Sequence, residues 1–175
     1  MTNALPKTPL QQLLLERGVQ VAAILRKRKT ARSLVAGLCG SLAHSVLMYL
    51  KSILGLLPQF QPYEDLQRLI SHLMGTAIHF LVPWAISFLN GSVILGFLFG
   101  RLYRYLPAQS GLAKGAVFGC FGWLLMNLAF FPIVGEGLFA TSIGLGIAPT
   151  LFSMAMLLAY SVTMGWAHSA LMPTR

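Results

Sequence analysis

Acidic residues are scarce in this chain, four in 175, and charged residues of either sign make up only 10%. So little charge cannot hydrate the surface of an ordinary soluble domain, which excludes that class. Cysteine is nearly absent as well. Cys39 and Cys120 fall inside apolar segments without CxxC spacing, and so read as small packing residues rather than a disulfide or metal pair. No short apolar core with a small-residue cleavage site follows the polar first thirty residues, so no cleaved signal peptide is expected. HExxH, GxSxG and Walker motifs and paired carboxylates are also missing, and the chain is expected not to be an enzyme.

What is present is apolar length. Hydrophobic residues make up 56% of the chain, mean hydropathy is +0.71, and glycine, which lets membrane helices approach closely, occurs 17 times. Runs at 33–50, 75–100, 115–134 and 147–168 are each long enough, at about 1.5 Å per residue, to cross a hydrocarbon core of about 30 Å. These runs predict an all-α polytopic membrane protein: a bundle of four transmembrane helices over 33–168 and a short tail at 169–175. Glu64 to Met74 reads as a short interfacial helix before the second span, because Pro58 and Pro62 break regular helix and Glu64, Asp65 and Arg68 need water or headgroups. Pro83 is expected to kink the second span, whose centre carries the polar patch Asn90, Gly91 and Ser92.

The net charge of +9 follows the topology. Seven of the thirteen Lys and Arg residues precede the first span, three lie between the second and third, and one ends the chain; Lys51 and Arg68 fall on the other side. Eleven against two is a positive-inside bias that puts both termini in the cytoplasm, the cell inner membrane being the expected location. No aromatic platform is interleaved with the cations, so nucleic acid is not an expected partner. Within residues 1–32, Leu10, Leu13, Leu14, Val21 and Leu25 recur near helical spacing ahead of Arg26, Lys27, Arg28 and Lys29. This amphipathic stretch either lies along the inner surface, with the basic cluster gaining about 1 kcal/mol per charge from anionic headgroups, or forms a disordered tail.

Three ridges of small residues offer helix-packing surfaces: Ser33, Gly37 and Ser41 on the first span, Ser92, Gly96 and Gly100 on the second, and Gly115, Gly119 and Gly122 on the third. They serve packing within the bundle, or one of them faces another membrane subunit or a second copy of the chain.

No span contains an Asp, Glu, Lys or Arg in its interior, which argues against active transport by a single copy. His44 and His79 both fall toward the outer side. Cross-helix hydrogen bonding, at about 0.6 kcal/mol each, is the leading expectation for them, and the alternative is that they face each other and bind a haem, a metal or a quinone headgroup. A pore built from several copies would be lined by Asn90, Ser92, Asn127 and Thr150.

The third span reads KGxxFGxxxWLL from Lys114 to Leu125, followed by Pro132 and Gly135. With the GxxG first span and the intervening amphipathic segment, the region 33–168 resembles an uncharacterised family of small bacterial four-helix inner-membrane proteins. The resemblance implies the fold and carries no active site, and the long basic N-terminal extension departs from its pattern. The expected function is that of a non-enzymatic accessory or scaffold subunit without a cofactor. An oligomeric channel or carrier is the alternative, and haem, metal or quinone binding in the outer half the second one.

Overall fold

The computed structural model describes residues 9–172, which form helices and turns without a strand. Lipid offers the backbone no hydrogen bonds, so each spanning segment must satisfy its own amides, and helix is the form that does so. The long helix α1 runs Pro9–Ile53, the short α2 Pro62–Met74, and α3, α4 and α5 run Leu81–Leu102, Gly111–Ile133 and Ala148–Ala170. The four long helices are each long and apolar enough to cross a membrane.

Local chemistry explains the boundaries. Pro62 starts α2 where its missing N–H costs nothing, Glu64 and Asp65 favour the positive end of the dipole, and Gly75 ends the helix at φ +66°. Ser110 caps α4 by accepting from the Ala113 amide at 3.1 Å.

Three sequence expectations are corrected. The stretch Leu10–Leu25 is not a separate surface helix but continues into the first span, because between Leu10 and Ser33 only a lone Gly18 interrupts good helix formers. At about 1.5 Å per residue, the 45 residues of α1 reach about 68 Å, more than twice a hydrocarbon core. The second span begins at Leu81 rather than 75, since the chain turns at Gly75 first. Pro83 then lies in the first turn of α3, where no intrahelical bond is lost and no kink follows. The distortion comes one step later, at the polar patch, where Asn90–Leu95 forms a π-helical turn; α4 carries a second at Met126–Phe130.

Small residues set the packing. A Cβ on Gly37 would lie 2.8 Å from the Gly96 Cα and closer still to the Ser92 carbonyl, so α1 and α3 meet backbone to backbone. A Cβ on Gly100 would strike the Ser33 hydroxyl, one on Gly115 the Ser161 carbonyl, and one on Gly119 would sit 2.9 Å from the Ser161 Oγ, which brings α4 onto α5. Gly165 on α5 completes that seam, 2.9 Å from the Gly115 Cα by the same measure. Gly122 does not join it: a Cβ there would meet nothing within 4 Å.

The long helices stand in the order α3, α1, α5, α4, with α1 and α5 forming the centre. The end helices α3 and α4 touch through Phe99 and Phe118, whose rings are 5.3 Å apart at the end of the bundle near Arg101 and Lys114, here the basic end. At the opposite, cap end the connector 54–61 folds over the bundle. Phe60 plugs it, its ring 5.7 Å from Phe131 and 6.4 Å from Phe152, while buried Lys51 donates to the Phe60 carbonyl at 2.6 Å.

The seams predict opposite outcomes for one substitution. Gly115→Ala should lower stability in detergent by about 1–3 kcal/mol through overpacking against backbone, whereas Gly122→Ala should change it by less than about 0.5 kcal/mol. Thermal unfolding followed by circular dichroism compares the two.

Candidate functional site

Away from the Phe99–Phe118 contact, α3 and α4 leave a lateral cleft of about 560 Å³ toward the cap end. That volume is of the size that holds small molecules. One wall is α3 from Trp84 to Leu95 and the other α4 from Gly122 to Ile133; α1 and α5 form the back, and Phe60, Pro62, Tyr63 and Leu66 form the roof. Its lining is mostly apolar, with polar groups on the back, the roof and the α3 wall, where Ser87 and Asn90 stand.

The central polar group is the Tyr63 hydroxyl. Proline at the start of α2 turns the chain so that Tyr63, in the next position, points inward, where His44 Nε2 lies at 3.1 Å and Ser87 Oγ at 3.3 Å. Burial pushes the Tyr63 phenol above its ordinary pKa, and the Ser87 hydrogen bond offsets part of that rise, so the hydroxyl stays neutral and able to donate. The Trp84 ring covers Tyr63 at 4.5 Å between centroids, and His44 meets the rings of Tyr63 and Tyr160 edge-on at 6.5 Å each.

A second hydroxyl braces the π turn of α3. The Gly91 carbonyl accepts from the Gly96 amide within the turn, and Tyr160 on α5 donates to the same carbonyl at 2.7 Å. Ser41 Oγ, buried beside Gly91, has no partner among the described residues.

His44 and His79 are not brought together. His44 belongs to the cleft, while His79 lies exposed before α3, its ring 4.5 Å from Phe80 and its Nδ1 accepting from the Leu81 amide at 3.3 Å. Among the described residues no three His, Cys, Asp or Glu side chains are grouped as a metal site needs. The polar residues considered as a pore lining also separate. Asn90 borders the cleft and Ser92 is buried against α1, whereas Asn127 donates to the Trp123 carbonyl at 2.8 Å and Thr150 to the Phe139 carbonyl at 2.7 Å in the α4–α5 region. Gly37, Gly96, Gly100, Gly115 and Gly119 sit in the helix seams, Gly122 opens onto the cleft, and Arg26, Lys27, Arg28 and Lys29 are exposed on α1.

Sequence reasoning missed Tyr63, Ser87, Trp84 and Tyr160. The meeting of Tyr63 with a residue 24 positions away has no local signature. Tyr160→Phe, which removes the side-chain donor to the Gly91 carbonyl, should cost about 0.5–2 kcal/mol, again read by thermal unfolding.

No characterised protein and no solved structure matches this chain. Residues 27–175 match the model of a family of unknown function, DUF6789, and the chain belongs to that family.

Proposed function

We propose that this chain is a non-enzymatic multi-pass membrane protein that holds a lipid-soluble molecule in the cleft between α3 and α4. The observation that carries this reading is the cleft's two-part chemistry, an apolar opening toward lipid with the hydrogen-bonding set His44, Tyr63 and Ser87 at its inner end. The ligand that fits is an amphiphile with an accepting headgroup, such as the carbonyl of a quinone, and an apolar tail that leaves sideways between the helices. Tyr63 is the donor, Trp84 supplies a ring to stack on, and Gly122 leaves room for the tail. Binding rather than turnover is favoured because Tyr63 stands between His44 and Ser87, so the imidazole has no direct hydrogen bond to the serine hydroxyl.

A second reading, as an accessory or scaffold subunit, draws on α1. Beyond the bundle Val19, Val21, Ile24 and Leu25 are 52–68% exposed beside the basic cluster, an apolar and cationic helical surface suited to another membrane subunit or to anionic headgroups. Both readings place the basic end in the cytoplasm of a bacterial cell, at its inner membrane, on the strength of the charge bias. A channel or carrier role draws less support, since the candidate pore residues do not share a face.

The test is binding of a benzoquinone with a decyl tail to the purified protein in nanodiscs, read by quenching of tryptophan fluorescence. Gly122→Phe, which fills the cleft from an open position, should weaken binding at least about tenfold, or about 1.4 kcal/mol, with thermal stability unchanged. Equal binding by the native and filled proteins would reject the cleft as the site.

A further inference from the structure

Above the cleft, α2 and the loop following α4 border a second, open cavity of about 410 Å³. Its deepest polar group is Glu136. The residue is 5% exposed, and neither carboxylate oxygen has a hydrogen-bond partner among the described residues. The backbone holds it firmly: its amide donates to the Phe131 carbonyl at 2.9 Å, and its own carbonyl accepts from the Ser142 amide at 3.0 Å. An ionised carboxylate so placed would be both desolvated and unpaired, which is costly.

Facing Glu136 across the same cavity is another acid, Asp65 of α2. Asp65 also accepts from Arg68. Two ionised carboxylates repel, whereas one added proton turns the same contact into a charge-assisted O–H···O⁻ bond. We propose that Glu136 and Asp65 bind one proton between them, and that this proton clasps α2 to the loop after α4 and so keeps the roof of the cleft closed.

The surroundings leave few other groups to consider. Asp65, Arg68 and His72 face the cavity from α2, Gln59 from the connector, and Val134, Gly135, Ser142 and Ile143 from the end of α4 and its loop, so every titratable or charged neighbour of Glu136 stands on α2. Burial first, and then Asp65, raise the Glu136 pKa from 4.5 to about 8, with Arg68 pulling the other way. The sign follows. With α2 lifted, Glu136 regains an ordinary carboxylate pKa, so the proton's contribution to closure is complete below about 4.5 and is lost as pH rises to about 8. Above that pH Glu136 is ionised in both states and no further change is expected.

The clasp stands without the cleft ligand; only its role as a roof rests on the binding reading. Hydrogen exchange of the α2 amides in the full chain in nanodiscs, with no quinone added, tests the clasp. Protection, corrected for the intrinsic exchange rate, should fall about tenfold per pH unit between about pH 6 and pH 8 and then level off. Glu136→Gln, whose amide donates to Asp65 at every pH, should keep protection high and flat. Asp65→Asn, whose amide donates to an ionised Glu136, should also flatten the slope, and it serves if the first variant does not fold. A protonated-carboxyl infrared band that titrates near pH 8 and is missing in Glu136→Gln is the direct signature. A flat native profile, an equal slope in Glu136→Gln, or no such band at neutral pH would overturn the proposal. Decyl-benzoquinone exchange that speeds up from pH 6 to pH 8 in step with α2 opening supports the roof role, and exchange independent of pH overturns that role while the proton site stands.

Discussion

The architecture depends on backbone contact between helices that carry no side chain where they cross. In lipid there is little hydrophobic drive for one apolar helix to choose another, so close approach through glycine and serine decides which faces meet. Gly37 against Gly96 fixes α1 to α3, and Gly115 and Gly119 against Ser161 fix α4 to α5. With α1 and α5 packed together at the centre, α3 and α4 are held at the two ends of a row. The Phe99–Phe118 contact ties those ends near the basic end, and the lateral cleft lies between them toward the cap end.

The π turn of α3 connects packing to site. It falls where α3 crosses α1 at Gly91 and Ser92, and its Gly91 carbonyl, which accepts from the Gly96 amide inside the turn, also accepts from Tyr160 in the cleft's back wall. The same stretch of α3 carries Ser87 and Trp84 to the level of Tyr63. A regular helix through this region would rotate one half of α3 against the other and separate the groove-binding glycines from the cleft-lining residues. The proton site between Glu136 and Asp65 lies one layer higher, where α2 and the loop after α4 have no helix seam to hold them.

The spans were legible because uninterrupted apolar length is a strong and local signal, as were the glycines that repeat at one-turn spacing. Gly122 shares that spacing with Gly115 and Gly119 yet faces open space, since a ridge of three turns can contact a partner that diverges after two. His79 looked intramembrane because the apolar run begins before the helix does; the turn at Gly75 moves it to the surface. Tyr63 and Glu136 carry no local sequence signal of a site. Their roles arise from which connector folds over which helix end, and Lys51, Phe60 and Phe131 determine that through contacts remote in sequence.

The central claim is that lipid-soluble molecules meet this protein at one place, between α3 and α4. Labelling with an apolar diazirine probe in nanodiscs, mapped by mass spectrometry, tests it directly. The account predicts adducts concentrated on the cleft-facing residues Trp84 to Leu95 and Gly122 to Phe130 and displaced by the decyl benzoquinone. Labelling spread evenly over the outward faces of all four helices, with no displacement, would contradict it.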